Sequence, residues 1–493
     1  MGRPLDSPRP RPAGWAGDGT GETYPGAARR AGRAGQALLS APARVRARRH
    51  FARVPGRLLV LGVVLLIAVG TAGLLLPGAR RGGLDVVDAL LLATSAVCTT
   101  GLSSVNVAQV LSPAGQLWLV FLVEVGALAL LVLAFGFVGL GRRRQGATRA
   151  GVSADLGLGP GQDLRGLLRR VLAFALGAQL LGAALMLPDL LRLEGGVQGA
   201  RYALMLSVMA FGNAGFGLWP DGAARLSALS LLVLMALVVG GGLGFLTVDE
   251  LWRRLTGDRA GARRPPPLSL LTRVSLKTTA LLLVFGWAAF ALLEWGRPGT
   301  LGPLPVGARL LHAAFQPTVA RSAGFNTLDY AALSPASLLL IMGLMFVGGN
   351  PGSTAGGIKT TTAAVLLAAT RTGLGRHDDV ELAGRRIGPA VLTRALAVVT
   401  LGLLAVTLGT FALLVTEDGG RHRPIALAFE AVSAFTTAGL SVNLTPELTA
   451  GGKLVLVALM FLGRVGFLSL LLAFRPAQPP TVRLPEDRDL TVG

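Results

Sequence analysis

The sequence predicts an all-α, polytopic membrane protein built from four copies of one three-part unit. Hydrophobic residues make up 52% of its 493 residues and charged residues only 15%, whereas soluble domains carry about 25% charged residues. Apolar runs of about 20 residues, the length that spans a bilayer, recur along the chain. Between them lie shorter apolar segments that we expect to enter the membrane and return. We therefore expect eight transmembrane helices.

Each unit consists of a span, a re-entrant segment and a second span. These parts lie at 58–76, 83–101 and 117–139, at 167–187, 201–215 and 226–246, at 274–293, 308–324 and from 336 onward, and at 390–415, 425–439 and 454–474. We assign the four repeats to 56–140, 165–250, 270–370 and 388–474. The second helix of the third repeat is expected to be the only broken one of the four.

The net charge of +21 is explained by topology, so we expect no nucleic-acid partner. Most of the 47 Lys and Arg residues fall in segments that are cytoplasmic if the N-terminus is inside, which is the positive-inside pattern. Two tails, a basic disordered one at 1–55 and a short one at 475–493, are therefore expected in the cytoplasm, the first touching anionic lipids. Cys98 is the single cysteine, which excludes an intrachain disulfide. No constellation of catalytic side chains is present, so we expect no enzyme.

Each re-entrant segment ends in a glycine followed by Leu or Phe, and the four glycines are spaced by about 110 residues, which indicates an internal repeat. The first and fourth segments end almost identically, as SAVCTTGLS and SAFTTAGLS. We call the three residues that end at each of these glycines the glycine loops: Thr99, Thr100 and Gly101; Asn213, Ala214 and Gly215; Ser322, Ala323 and Gly324; and Thr437, Ala438 and Gly439.

The glycine loops are interpreted as a selectivity filter for cations. The C-terminal end of a short helix carries partial negative charge. Extended backbone after it, with glycine where the chain crowds, can present rings of carbonyl oxygens that replace the water shell of a monovalent cation. The carbonyls alone do not distinguish potassium from sodium. The alternative, glycines used for helix packing, does not explain the short segments between the spans.

The break in the third repeat lies at 345–362, which reads MFVGGNPGSTAGGIKTTT. Non-helical backbone at membrane depth is tolerated where it lines a cavity, and a lysine there costs roughly 2.5–3.5 kcal/mol. We call Gly348–Thr362 the broken-helix segment and predict a mobile gate, with Lys359 as a barrier to cations and Arg464 anchored on the carbonyls of the segment. The predicted gate residues are Gly348, Gly349, Asn350, Gly352, Ser353, Thr354, Gly356, Gly357, Lys359 and Arg464.

Three further residues, Ile358, Glu430 and Glu124, bear on the predicted function. GSTAGGIK differs from a phosphate-binding Walker A motif because Ile358 stands where the lysine should be. We therefore expect no nucleotide on this chain. Glu430, in the fourth short segment, is expected to hydrogen-bond the backbone of a neighbouring loop, and the alternative is that it tunes the electrostatic field at the filter. Glu124 is an acid within an apolar run, where an influence on ion coupling or on the pH response stays open.

The glycine loops, together with GGNPGSTAGGIKTTT and GRVGFLSL, resemble the Trk/Ktr/HKT superfamily of potassium transporters over residues 56–474. The eight spans are most similar to the bacterial KtrB (TrkH-type) membrane subunits. The resemblance implies one pore per chain formed by four pseudo-symmetric M1-P-M2 units, with potassium selected by the four filter glycines. It also implies a homodimer in the bacterial plasma membrane and a cytoplasmic ring of KtrA/TrkA-type regulatory subunits that would bind any nucleotide.

The predicted function is channel-like potassium uptake driven by the membrane potential, which supplies about 2.3 kcal/mol per charge per 100 mV. Sodium is a second candidate ion. The alternative is a secondary active symporter that couples potassium to sodium or protons at a site near the membrane midplane. Repeats in such transporters are commonly inverted and two in number, whereas the four units here are parallel.

Overall fold

The computed structural model describes residues 54–140, 164–256, 267–375, 379–417 and 421–466. Nearly all of the predicted N-terminal tail, the predicted C-terminal tail and the end of the fourth repeat lie outside the described residues. The described residues are mostly helical, as the sequence predicts.

The helices, in chain order, are α1 (Val54–Leu75), α2 (Val86–Val97), α3 (Val107–Val110), α4 (Pro113–Leu140), α5 (Leu164–Glu194), α6 (Gly196–Gly212), α7 (Ala228–Gly242), α8 (Phe245–Leu255), α9 (Leu270–Glu294), α10 (Val306–Ala320), α11 (Pro335–Phe346), α12 (Thr360–Leu374), α13 (Pro389–Thr416), α14 (Pro424–Phe435) and α15 (Ala450–Val465). Two short 3-10 helices, Tyr330–Ala332 and Thr445–Glu447, follow the third and fourth glycine loops. An antiparallel hairpin that the sequence analysis did not predict pairs β1 (Glu381–Leu382) with β2 (Arg385–Arg386), and Glu381 lies opposite Arg386.

Four times along the chain, a long helix is followed by a short helix, a glycine loop and another helix. The short helices are α2, α6, α10 and α14, with 12 to 17 residues each. Their C-terminal halves form the centre of the core: in α2, for example, every residue from Leu91 to Val97 is buried. The glycine loops therefore lie deep inside the protein.

Three of the described helices are long and apolar enough to cross a membrane, namely Gly166–Glu194, Leu270–Glu294 and Pro389–Thr416. Only 28%, 17% and 22% of their most apolar windows are buried inside the protein. Helices that turn apolar side chains outward are suited to lipid, where every backbone polar group must be satisfied within the helix. The structure thus fits a helical membrane protein, while the number of eight spans stays a prediction.

The expectation that only the third repeat has a broken second helix was wrong. In the second unit, α7 and α8 meet at an angle of 106°. Gly244 opens α8 with a φ of +81°, a conformation that favours glycine. The carbonyl oxygen of Pro351 lies 2.3 Å from the position that a Cβ of Gly244 would take. The second helix bends here because glycine permits both the turn and the approach of the broken-helix segment.

The second helix of each unit begins with a capping hydroxyl, from Ser112, Ser227, Ser334 or Thr449. In the third unit, Glu294 at the end of α9 accepts hydrogen bonds from the Ser334 N–H (3.0 Å) and the Ser337 hydroxyl (2.6 Å). In the second unit, Asp189 accepts from the Ser227 N–H and the Ser230 hydroxyl, and in the fourth unit Glu417 accepts from the N–H and the hydroxyl of Thr449. Each cap follows a buried leucine, in LSPAG, LSALS, LSPAS and LTAGG, a repeat that the sequence analysis missed.

Candidate functional site

The four glycine loops lie against one another in a closed ring. A Cβ on Gly101 would lie 2.8 Å from the nitrogen of Gly215, and one on Gly215 would lie 2.2 Å from the oxygen of Ala323. A Cβ on Gly439 would lie 3.0 Å from the Cα of Gly324 and 2.0 Å from the oxygen of Thr100. Since these neighbours are backbone atoms, only glycine allows these four segments of the chain to lie so close together.

The way that each short helix ends explains how the chain turns into this ring. The first residue of each glycine loop is left-handed, although none is glycine: Thr99, Asn213, Ser322 and Thr437 have φ of 53°, 55°, 81° and 50°. In the first unit, the N–H of Thr100 then donates to the Ser95 carbonyl (2.7 Å), which is the Schellman closure of a helix. The second and fourth units repeat this bond. Left-handed residues other than glycine are costly and are found at functional sites.

The backbone oxygens of Thr100, Ala323 and Ala438 lie beside the glycines of neighbouring loops. The side chains of Thr99, Thr100, Ser322 and Thr437 are fully buried. Glu430 is the acid on the fourth short helix. It accepts hydrogen bonds from the Val442 N–H (3.2 Å) and the Thr445 hydroxyl (2.8 Å), as the sequence analysis expected. The C-terminal ends of the four short helices, which carry partial negative charge, therefore come together at the ring.

The broken-helix segment is a loop closed at its base. The N–H of Gly348 donates to the Ile358 carbonyl (3.0 Å), and the N–H of Ile358 donates to the Phe346 carbonyl (3.2 Å). We call this closure the neck, and we call Thr354–Gly356 the tip. These bonds satisfy backbone groups that the gap between α11 and α12 would otherwise leave unpaired.

The tip contacts all four left-handed residues. Thr99 donates its hydroxyl to the Thr354 carbonyl (3.0 Å), and the Asn213 amide hydrogen-bonds the Thr354 hydroxyl (3.0 Å). The N–H of Gly356 donates to the Ser322 hydroxyl (3.0 Å). A Cβ on Gly356 would lie 2.2 Å from the hydroxyl of Thr437. One segment therefore covers the ends of all four short helices.

The two cationic side chains predicted for the gate, Arg464 and Lys359, hold this segment by hydrogen bonds to its carbonyl groups. One guanidinium nitrogen of Arg464 donates a hydrogen bond to the Thr354 carbonyl, and another donates to the Gly126 carbonyl of α4 (2.6 Å). The sequence analysis expected such an acceptor for Arg464. Lys359 caps the start of α12 and donates to the Ala355 carbonyl (2.6 Å). The ammonium group is thus held within the segment, directly beside its tip.

The bend between α7 and α8 receives the other side of the segment. The N–H of Asn350 donates to the Gly242 carbonyl (3.0 Å), and its amide donates to the Leu243 carbonyl (3.2 Å). The N–H of Phe245 donates in turn to the Gly352 carbonyl (3.0 Å). Two interrupted helices satisfy each other's free backbone groups. The glycine-rich run VGGGLGF at 239–245 was visible in the sequence. Hydropathy does not show, however, that this run contacts the broken-helix segment.

All residues predicted for the filter and the gate lie in this one region. Sequence reasoning assigned no role to Arg321. Arg321 ends α10 and donates to the Gly348 carbonyl (3.1 Å). Glu124, in contrast, lies in α4 and accepts a hydrogen bond from Gln179 (2.9 Å), while its second oxygen is buried without a partner. No described contact joins Glu124 to the tip.

Comparisons with known proteins identify relatives of this chain. The sequence profile of the TrkH family, described as a cation transport protein, matches residues 70–481. The chain is 35% identical over 439 residues to the Ktr system potassium uptake protein B of Vibrio alginolyticus, covering 87% of this chain and 93% of that protein. It is 36% identical over 422 residues to the potassium/sodium uptake protein NtpJ of Enterococcus hirae, covering 84% and 91%.

The fold is also similar to a solved one. The crystal structure of the potassium transporter TrkH from Vibrio parahaemolyticus matches with a TM-score of 0.66 and 17% identity, covering 86% of this chain and 85% of that chain. At that identity the match speaks for the fold alone, whereas the sequence relatives are named for ion uptake and not for catalysis. The chain belongs to the TrkH family of cation transport proteins.

Proposed function

We propose that this protein is the channel-like membrane subunit of a potassium uptake system and is driven by the membrane potential. The convergence of four glycine loops on one axis, with a single segment across them, carries the proposal. The names of the relatives support potassium as the transported ion, and the name of one of them supports sodium as a second candidate.

The glycine loops act as the selectivity filter in this proposal. A potassium ion loses its water shell and gains carbonyl oxygens from the four loops, while the C-terminal ends of the four short helices stabilise the charge. The left-handed residue that begins each loop redirects the chain from the helix into the ring. The glycine then allows the four backbones to lie close enough to surround one ion.

The broken-helix segment acts as the gate. Its tip lies against the residues that lead into the filter, so an ion that leaves the filter meets Thr354–Gly356. Lys359 and Arg464 place positive charge beside this point and raise the electrostatic barrier to another cation. Opening requires the tip to leave the four loops, which breaks the hydrogen bond of Arg464 to Thr354.

The proposed architecture has eight spans in four M1-P-M2 repeats, at 56–140, 165–250, 270–370 and 388–474. The tails at 1–55 and 475–493 would then lie in the cytoplasm, with the protein in a bacterial plasma membrane. The repeated caps on Ser112, Ser227, Ser334 and Thr449 support four equivalent units. Relatives named as parts of a Ktr system support a regulatory ring, here proposed as KtrA/TrkA-type, around a homodimer. Anionic lipids would contact the first tail.

Influx of rubidium into proteoliposomes with an inside-negative potential tests the function. We expect influx that follows the potential when sodium and a pH gradient are both absent. A strict requirement for either ion would favour the symporter alternative. Restored growth of a potassium-uptake-deficient bacterium at low potassium, with a regulatory partner supplied, is a second test. Absence of rubidium influx in both the presence and the absence of that partner would contradict the proposal.

A further inference from the structure

Arg321 is a buried cation that the proposed filter and gate leave unexplained. Only 7% of the residue is exposed. One nitrogen of its guanidinium donates to the Gly348 carbonyl (3.1 Å) and, more weakly, to the Thr279 hydroxyl (3.4 Å). Its Nε is buried without a partner. Because a buried charge with so few hydrogen bonds is costly, its position requires a reason beyond packing.

The next residue in the chain supplies that reason. The hydroxyl of Ser322 accepts a hydrogen bond from the Gly356 N–H (3.0 Å) and donates to the Thr437 carbonyl (2.8 Å). Arg321, the residue before the third glycine loop, and Ser322, its first residue, therefore hold two separate points of the broken-helix segment. Arg321 holds the neck at Gly348, and Ser322 holds the tip at Gly356. A shift of this loop would move both points together.

The other three glycine loops lack the second attachment. The residues that correspond to Arg321 are Cys98, Gly212 and Thr436. Cys98 is buried, Gly212 has no side chain, and the hydroxyl of Thr436 donates within its own helix, to Val432 (2.7 Å). Each of these loops meets the tip alone. The third loop is thus the one that can transmit its position to the base of the segment.

We propose that Arg321 is a positioning residue that couples the third glycine loop to the neck of the broken-helix segment, so that ion occupancy of the filter and closure of the segment change together. This inference rests on the proposed function. An ion held by Ser322–Gly324 keeps the loop in one position, and Arg321 and Ser322 then keep the neck and the tip closed. By linkage, a closed segment favours ion binding by the same factor.

Hydrogen exchange of the purified protein in lipid nanodiscs, measured in potassium chloride and in choline chloride, tests the coupling. In the wild type we expect slower exchange at 348–358 in potassium chloride. Arg321→Gln removes a hydrogen bond from a charged group, which is worth about a tenfold change in an opening equilibrium. We therefore expect about tenfold faster exchange at 348–358 and loss of the difference between the two salts.

Arg309→Gln is the matched control, because Arg309 lies on the same helix and also donates to a backbone carbonyl, that of Leu304 (2.6 Å). This variant should exchange as the wild type does. Unchanged exchange in Arg321→Gln would overturn the coupling, and so would faster exchange spread evenly over α5 and α13, which marks a merely structural role. If Arg321→Gln does not fold, the wild type still decides: no difference between the salts at 348–358 overturns the inference.

Rubidium influx measured on the same preparations separates this inference from the function on which it rests. A wild type without influx contradicts the proposed transport function itself. A wild type with influx, together with an Arg321→Gln variant whose influx and exchange both match it, contradicts the coupling alone. The coupling predicts that Arg321→Gln transports rubidium faster than the wild type, because the neck of the segment is released.

Discussion

The four units are most alike where their second helices begin and least alike halfway along these helices. At the start, each helix carries the same capping hydroxyl, and in three units an acid from the preceding long helix accepts its N–H. Halfway along, α4 continues as one helix to Leu140, α7 and α8 meet at 106°, and α11 and α12 are separated by the broken-helix segment. The repeat is thus preserved at the starts of the second helices and lost in their middles.

The difference follows from the separate roles of the helix starts and of the helix middles. Every helix N-terminus has unpaired N–H groups that need acceptors, so four equal helices can keep four equal caps. Around one axis, in contrast, there is room for one covering segment and not for four. The bend in the second unit completes the arrangement, because the carbonyls of Gly241 and Gly242 accept the N–H groups of Thr354 (3.3 Å) and Asn350 (3.0 Å).

The largest effect is expected at the symmetric ring. Gly439→Ser should bring the ratio of rubidium to sodium influx to roughly one, since the carbonyl ring that sets the preference is displaced. The added Cβ would lie 2.0 Å from the Thr100 oxygen, at a φ of +81°. Influx of both ions into proteoliposomes measures the ratio. Gly343→Ser in α11, where a Cβ has open space, is the control. A preserved preference in Gly439→Ser would remove this loop from the filter.

The helix caps should affect the stability of the fold and not the selection between rubidium and sodium. Glu294→Ala leaves the Ser334 N–H and the Ser337 hydroxyl without their acceptor, which should lower the free energy of unfolding by about 3 kcal/mol. Thermal unfolding in detergent measures the loss. Glu447→Ala serves as the control, because 66% of that side chain is exposed. If Glu294→Ala changed the ratio of rubidium to sodium influx while remaining folded, the division between caps and ring would not hold.

The asymmetric middle should control the rate. Lys359→Met removes a unit charge that repels a cation in the pore. For a cation taken to lie about 8 Å from the ammonium group, with an effective dielectric constant of about 20, this repulsion contributes about 2 kcal/mol to the barrier. Rubidium influx should therefore rise by up to about thirtyfold, with the ratio of rubidium to sodium influx unchanged. Lys359→Arg keeps the charge and should transport as the wild type does. Equal or lower influx in folded Lys359→Met would argue against a barrier at this position.

The smallest effect is expected for the cap of the first unit, which lacks an acid. The Ser112 hydroxyl accepts from the Gly115 N–H (3.1 Å) and donates to the Gly78 carbonyl (2.6 Å). Ser112→Ala should cost about 1 kcal/mol, the usual value of an N-cap. Thermal unfolding compares it directly with Glu294→Ala. A larger loss than in Glu294→Ala would mean that the first unit, and not the third, depends most on its cap.

Much of the helical pattern was visible in the sequence. The predicted second span at 117–139 lies within α4, and the predicted re-entrant segment at 425–439 includes all but the first residue of α14, because hydropathy and helix length are local properties. The glycines of the ring were found by their spacing. Their contacts were not, because Gly101 touches Gly215 and Gly439 touches Thr100 only after segments distant in the chain have come together.

The helical membrane class, the positions of the glycine loops and the presence of one broken helix with a lysine could all be predicted from the sequence, since all three are patterns of neighbouring residues. The bend after α7 that meets this segment, and the bond by which Arg321 holds its neck, became visible only in the folded protein. The bond between Thr99 and Thr354 joins residues 255 positions apart. No local pattern encodes such a partner, because a buried donor takes the acceptor that packing brings to it.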